Sequence, residues 1–527
     1  MLLPTKARYA PGEPVTVEIG PSPAPRRLVV EHLGEVVGTV EVPAGTDIVG
    51  LPDLPEGGYA VRVGGEWTAV EVLADPVARM RYGFVASYPP GRDIDGVLST
   101  FRRLHLTAAQ FYDWGYRHAD LIAPTPEYTD PLGQPISMAT VQALSAALRR
   151  GGTLPLGYAA VYGVGEHEWP EWEHLALLRP DGTPYELGGF LSIVDPSDPG
   201  WLRHFGDDLV RSVEAAGFAG FHLDQYGFPR RAPRPDGVEV DLANAFDAMI
   251  RSVRERLPQA CLVFNNVNDF PVWASTRSPQ DVTYTEVWEP HDGLGDLAAV
   301  ATRSRHLAPG RPAVLAAYQS IYDAQPAVAA DAATRLTMAT LFSHGATQLL
   351  AGEVGQVLVD PYYVRNHVAE PSTMDMLTRW YDLLVATGDL LFDPAQVDLT
   401  RSVVGSLNDE VEVTGAVMSH EPRPGTVWRR VVQTSRGLVV HLVNLTTQTE
   451  TGWDTPKQPV TAVPGLRLRL RRVGATEPTV HIADPDTGPG LTATSVTTDG
   501  LHHEVNLSPL GYWQIVLIRY PTSRSHA

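Results

Sequence analysis

From Arg81 onward, eight strand-like runs recur at intervals long enough to hold a helix between them. They are RYGFVASY, LTAAQFYDW, TLPLGYAAVYG, GFAGFHLDQYG, ACLVFNNVN, VTYTEVW, AVLAAYQS and TQLLAGE. Between several of them, apolar residues fall at three- and four-residue steps, as in DIDGVLSTFRRL, TVQALSAALRRG, WLRHFGDDLVRSVEAAG and DLANAFDAMIRSVRERL. The runs are apolar along their length, as parallel strands covered on both faces are. This repetition predicts a central (β/α)8 barrel over residues 79–394. The connection after the third strand is long and rich in Trp, Glu, Gly and Pro, the texture of a loop that shapes a site at the C-terminal ends of the strands.

The flanks read differently. Residues 1–78 hold short alternating stretches such as PVTVEIG and YAVRVGG, split by Pro and Gly turns, which predicts an immunoglobulin-like antiparallel β-sandwich. Residues 395–527 are β-rich again, with VWRRVVQTS, GLVVHLVNL and YWQIVLIRY, and predict a second sandwich ending in a disordered tail, PTSRSHA. The expected fold class is multidomain α/β, a barrel between two sandwiches.

With a formal net charge of −20, the chain lacks the basic face that nucleic acid or an anionic membrane surface requires. No run of 18 apolar residues offers a membrane span. The opening MLLPTKARYAPGEPV has no signal-peptide pattern, and the single cysteine, Cys261, permits no intrachain disulfide. Cytoplasmic placement is the expectation. The histidines are scattered without metal-ligand spacing, and no phosphate-cradling glycine loop or G-x-S-x-G elbow occurs, so no metal or cofactor is expected.

Several of the strands end in polar groups: QFYDW, HLDQYG, FNNVND, YTEVWEPHD and AGE. Barrel chemistry gathers at these ends. Period-two alternation sets His222, Asp224 and Tyr226 on one side of the fourth strand, and Glu286 and Trp288 on one side of the sixth. Glu289 falls out of phase and is expected on the rim. Two carboxylates on nearby strands, ringed by Trp and Tyr, suit glycoside chemistry, one attacking the anomeric carbon and the other protonating the leaving oxygen. That division of labour requires one group to stay ionised and the other protonated. Tyr112, Trp114, Tyr158, Tyr162, Trp169, Trp172, Tyr226, Trp273, Trp288 and Tyr318 are aromatic candidates for sugar faces near loop ends.

At these residues the chain resembles glycoside hydrolase family 66, the endo-dextranases and cycloisomaltooligosaccharide glucanotransferases. The resemblance rests on RYGFVASY, QFYDWGYRHADLIAP, VDPSDPGW, GFAGFHLDQYG, FNNVND, YTEVWEP and LLAGEVGQVLVDPYY, between Arg81 and about Leu391. It implies retaining cleavage of α-1,6-linked glucan, dextran or isomaltooligosaccharide, with Asp224 as nucleophile and Glu286 as general acid/base. It further implies that Tyr112, Asp113, His222, Asn266, Trp288 and Glu353 line the subsite of the attacked sugar, with Trp114, Gln225 and Tyr226 beside them. Asp113 could hold sugar hydroxyls, cap a helix or pair with Arg117. His222 could touch the sugar or satisfy a buried position, and Glu353 could hold ligand or pair with Arg365. The chain is short for the family and shows no inserted carbohydrate-binding module. That favours hydrolysis over cyclisation, with a transglycosylase, a glycosidase for a different α-linked oligosaccharide or a non-catalytic sugar-binding protein as alternatives. With no secretion signal, imported oligosaccharides become the expected substrate.

Overall fold

The computed structural model describes residues 2–403, 409–472, 474 and 476–521. The expected disordered tail falls outside them, apart from Pro521. At the centre lies an 11-stranded curled sheet. Eight of its segments run parallel in chain order: β1 Tyr82–Val85, β2 Ala108–Phe111, β3 Leu154–Ala160, β4 Gly220–Asp224, β5 Cys261–Val267, β6 Val282–Glu286, β7 Ala313–Ala316, and β8, Ala346–Gln348 continuing as Ala351–Gly352. The first half of β8 pairs with β7, and Gly352 pairs with Phe84 of β1. The last segment therefore hydrogen-bonds to both ends of the run. Two short strands, Gln356–Val357 and His367–Val368, extend the sheet antiparallel beyond β8.

Local signals start the helices where the sequence places them. Asp93 caps α1, Ile94–Arg103, by accepting from the Gly96 amide at 2.8 Å. The helix α2 spans Met138–Arg150. In α3, Pro199–Ala216, Asp198 caps, Pro199 occupies the first turn, and Gly217 ends the helix at φ 72°. Asp241 caps α4, Leu242–Arg256. Two further long helices, α5 Leu294–Leu307 and α6 Ala327–Ser343, carry no clear periodicity in the sequence. The physical reason is plain for α6: it is buried nearly all round, so it has no polar face to mark a stripe. On one side Phe342 packs against Trp513 of the C-terminal sheet, ring centroids 6.3 Å apart. The last long helix, α7, is Pro371–Ala386.

Antiparallel sheets flank this core. Residues 2–72 form a three-stranded and a four-stranded sheet around Val17, Leu28, Val30, Val61 and Val72. Residues 397–519 form a seven-stranded and a four-stranded sheet around Val431, Val440, Leu468 and Val516.

Buried charge joins the N-terminal sheets to the base of the curled sheet. Arg81, just before β1, is fully buried and pairs at 2.6 Å with Glu71, itself fully buried. It also donates from Nε to the His105 carbonyl at 2.5 Å. Nearby, the Asp382 carboxylate of α7 accepts from Thr68 Oγ1, the Ala69 amide and His105 Nε2. Removing one partner of such a pair strands the other charge in a dry site, at about 3–5 kcal/mol. Glu71→Ala is therefore expected to lower the stability read from the urea midpoint by that amount, and Glu71→Ala with Arg81→Met is expected to recover much of it. A single variant as stable as the parent would refute this account of the junction.

Candidate active site

Strand register brings the predicted acids together. The pairings Tyr158 with His222, His222 with Val263, and Asn265 with Tyr284 place the residues of one side of neighbouring strands in rows. By this register Asp224 of β4 stands level with Asn265 of β5, and Glu286 of β6, opposite Val267, lies two residues further along on the same side. These line a cavity of about 210 Å³, together with Gln110, Tyr112, Asp113, His118, Tyr158, His222, Tyr284, Trp288, Tyr318 and Tyr363.

Asn265 Nδ2 donates to Asp224 Oδ1 at 2.7 Å and to Glu286 Oε2 at 3.0 Å. The two N–H bonds of a primary amide diverge by about 120°, so the two accepting oxygens stand about 5 Å apart. Each acid has a second donor of its own. Tyr158 Oη donates to Asp224 Oδ2 at 2.8 Å, and Tyr318 Oη donates to Glu286 Oε1 at 2.9 Å. The expectation of one ionised and one protonated acid meets a near-symmetric pair. Burial raises both carboxyls above the ordinary range, Asp224 to about 7, with the neighbouring Glu286 charge as the second cause for Asp224. The amide and the tyrosines oppose this by bonding the charged forms. Groups so close titrate as a unit, so the first proton to leave makes the second harder to remove.

Around the pair, the other predicted residues divide. Tyr112 lies on the wall, stacked on Tyr363 at 4.4 Å. Asp113 follows it at φ 42°, a left-handed turn that aims two successive side chains into the cavity. Asp113 does not pair with Arg117, whose Nε lies 3.9 Å from Glu168. His118 Nε2 stands 3.8 Å from Asp113 Oδ1, and burial holds this imidazole down to about 4. His222 forms the floor: Tyr82 Oη is 3.2 Å from its Nδ1, Tyr284 meets it edge-on at 4.7 Å, and burial lowers it to about 3, so it is neutral. Gln225 and Tyr226 both line the cavity, Tyr226 stacked on Tyr162 at 5.3 Å. The Gln225 amide serves structure: Nε2 donates to the Asn265 and Phe270 carbonyls, and Oε1 accepts from the Gly227 amide. Trp288 stands at the rim, 39% exposed, 5.6 Å from Tyr318. Glu289 is exposed, as its phase implies.

Three residues predicted for the subsite do not line the cavity, and neither do the aromatic candidates Tyr162, Trp169, Trp172 and Trp273. Asn266 faces away from it, donating to the Phe264 and Tyr284 carbonyls and accepting from Ser275 Oγ. Its neighbour Asn265 is in phase with Asp224 and takes the position instead. Trp114 points outward after the turn at Asp113, packs on Phe218 at 4.7 Å and donates to the Tyr158 carbonyl. Glu353 accepts from the Ala86 amide at 2.6 Å and forms an ion pair with Arg92, while Arg365 pairs with Asp360. The residues that sequence reasoning passed over as acid partners are Tyr158 and Tyr318, read there only as sugar-facing rings.

The long connection after β3 forms a wall. Its strands Gly163–Gly165, Glu186–Leu187 and Leu191–Ile193 make a small sheet. The turn at Gly188 and Gly189, φ 59° and 71°, brings Leu187, Phe190 and Leu191 over the Asp113 side of the cavity.

Known proteins share this architecture. A Paenibacillus sp. cycloisomaltooligosaccharide glucanotransferase, whose crystal structure is a complex with cycloisomaltoheptaose, superposes with a TM-score of 0.86 at 19% identity, over 98% of this chain and 99% of that one. A maltogenic α-amylase from Thermotoga neapolitana matches more loosely, with a TM-score of 0.53 at 9% identity over 85% of this chain. Two proteins of Niallia circulans, both named cycloisomaltooligosaccharide glucanotransferase, are similar in sequence. One is 25% identical over 68% of this chain and 41% of its own length. The other is 22% identical over 98% of this chain and 72% of its own length. The sequence profile of glycosyl hydrolase family 66 matches residues 4–517, and the chain belongs to that family.

Proposed function

We propose that the protein is a retaining glycosidase acting on α-1,6-linked glucan by double displacement, with Asp224 as nucleophile and Glu286 as general acid/base. On this reading the curled sheet works as a closed (β/α)8 barrel over residues 79–394, carried between two sandwich domains. The observation that carries it is the single Asn265 amide holding both carboxylates: a gap of about 5 Å suits the retaining route, whereas inversion needs roughly 6.5–9.5 Å to admit a water. In the first step Asp224 attacks the anomeric carbon as Glu286 gives its proton to the departing oxygen. In the second, Glu286 takes a proton from water, which displaces Asp224. The Asn265 and Tyr158 bonds steady the Asp224 charge before and after attack. Asp113 and the uncharged His118 and His222 offer hydroxyl partners on the cavity floor and wall.

A second reading is supported by the names of the relatives, which are glucanotransferases. The same covalent intermediate would then pass to a sugar hydroxyl instead of water. Chromatography of products at high isomaltooligosaccharide concentration separates the two: longer or cyclic products mark transfer, and only shorter ones mark hydrolysis.

Asp224→Ala and Glu286→Gln are each expected to lower kcat on α-1,6-glucan by roughly a thousandfold or more with the fold intact by circular dichroism. Azide is expected to restore turnover of Asp224→Ala and yield a glycosyl azide of inverted configuration. Rescue of Glu286→Gln in that way, and not of Asp224→Ala, would exchange the two roles.

The pair should act only while it holds one proton, so kcat/KM is expected to be bell-shaped in pH. Activity falls in acid, where both groups are protonated, and falls again above neutrality, where the raised second value is passed. The Asn265 amide favours the charged forms, so Asn265→Ala should lower kcat by roughly a hundredfold and move the alkaline limb to higher pH. A profile of unchanged shape and position in that variant would remove Asn265 from the proton-holding machinery.

A further inference from the structure

A second hollow, of about 370 Å³, opens on the same side of the curled sheet as the acid cavity, at the C-terminal ends of β4 and β5. Its aromatic wall is Phe270 and Trp273, meeting edge-on with centroids 5.7 Å apart. Trp273 sits on the short helix Val272–Ser275 and is 52% exposed, whereas Trp114, Trp201, Trp380 and Trp513 are fully buried. An indole left this far in water at a concave site is a surface prepared for a flat apolar ligand face. The Arg230 guanidinium lies over the Phe270 ring, 5.2 Å from its centroid. Asn244, in the first turn of α4, and Arg277 complete the polar rim. Asp241 is already committed to Arg231 and to the α4 amides, so its charge is met within the rim.

One side chain stands between the two hollows. Gln225, on the wall of the acid cavity, donates to the carbonyl of Asn265 on one side and to that of Phe270 on the other. The aromatic wall is thus tied directly to the strand end that holds the acids.

We propose that this hollow is a second sugar-binding site, holding a stretch of the glucan chain beyond the units in the acid cavity. The inference rests on the α-glucan reading above. The chemistry is specific to that polymer class. A 1,6-linked glucose unit leaves three adjacent hydroxyls free, which suit the fork of a guanidinium and the paired donors of an amide. Its C–H face suits the exposed indole. The site therefore adds affinity for long chains and nothing for a substrate contained within the acid cavity.

The test uses the full chain in two measurements. Migration in native gels containing dextran reads binding for Asp224→Asn alone, with Trp273→Ala and with Trp273→Phe. We expect Trp273→Ala to weaken dextran affinity about tenfold, and Trp273→Phe to keep most of it. In the otherwise unaltered protein, the kcat/KM ratio of dextran to the shortest oligosaccharide turned over should fall by a similar factor in Trp273→Ala, through KM. Retardation and ratio both unchanged in Trp273→Ala would overturn the site while leaving the glycosidase reading untouched. Loss of retardation in Trp273→Ala, in a protein that turns over no α-1,6-glucan, would uphold the sugar site and reject the proposed reaction.

Discussion

One amide organises the centre of this molecule. Asn265 gives each of its two N–H groups to a different carboxylate, and among the described residues no other side chain is recorded as hydrogen-bonded to both. Remove that bridge and two buried acids would face each other across the cavity without a common donor. Two negative charges at that separation in a dry site repel strongly, and the pair would relieve the strain by binding protons or moving apart. The bridge makes close approach compatible with partial ionisation. The positions of Asp224 and Glu286 then follow from strand register, because β4, β5 and β6 run side by side and turn their in-phase residues to one side.

Much of this was legible in the sequence. Seven of the eight parallel segments of the curled sheet lie within the runs that composition and periodicity mark, and β8 starts one residue before its run. Apolar residues at three- and four-residue steps set α1, α3 and α4 to within a few residues. Asp224 and Glu286 emerged from their places at strand ends, sharpened by period-two alternation, since a strand preserves that phase to its last residue. The misses have equally local causes. Consecutive asparagines at 265 and 266 are identical in type, so only the register against β4 distinguishes them. Trp114 is in phase with Tyr112 along an extended chain, but the left-handed residue at 113 breaks the phase between them. No composition signal announces a positive φ at an aspartate. Glu353 has the same signature, φ 49°, and turns to the Ala86 amide and Arg92.

The tyrosines teach a different lesson. Read from sequence, Tyr158 and Tyr318 are aromatic surface for a sugar. In place, each spends its hydroxyl on one acid and its ring on the cavity wall. A phenol does both jobs because its polar atom lies at the far end of an apolar body. Which job matters depends on what lies at the tip, and that is a property of packing between strands rather than of spacing along one.

The pair formed by Arg81 and Glu71 also bears on how the chain is divided. Arg81 precedes the first parallel strand, and the carboxylate that neutralises it comes from the N-terminal sheets. The base of the curled sheet is thus finished by a residue donated from outside it. An excised version starting near residue 79 would carry an orphan cation beside the start of β1, at the opposite end of the strands from the acid cavity. The leading sheets are better regarded as a stopper than as an appendage, and shuffling them between relatives would require the guanidinium and its acid to travel together.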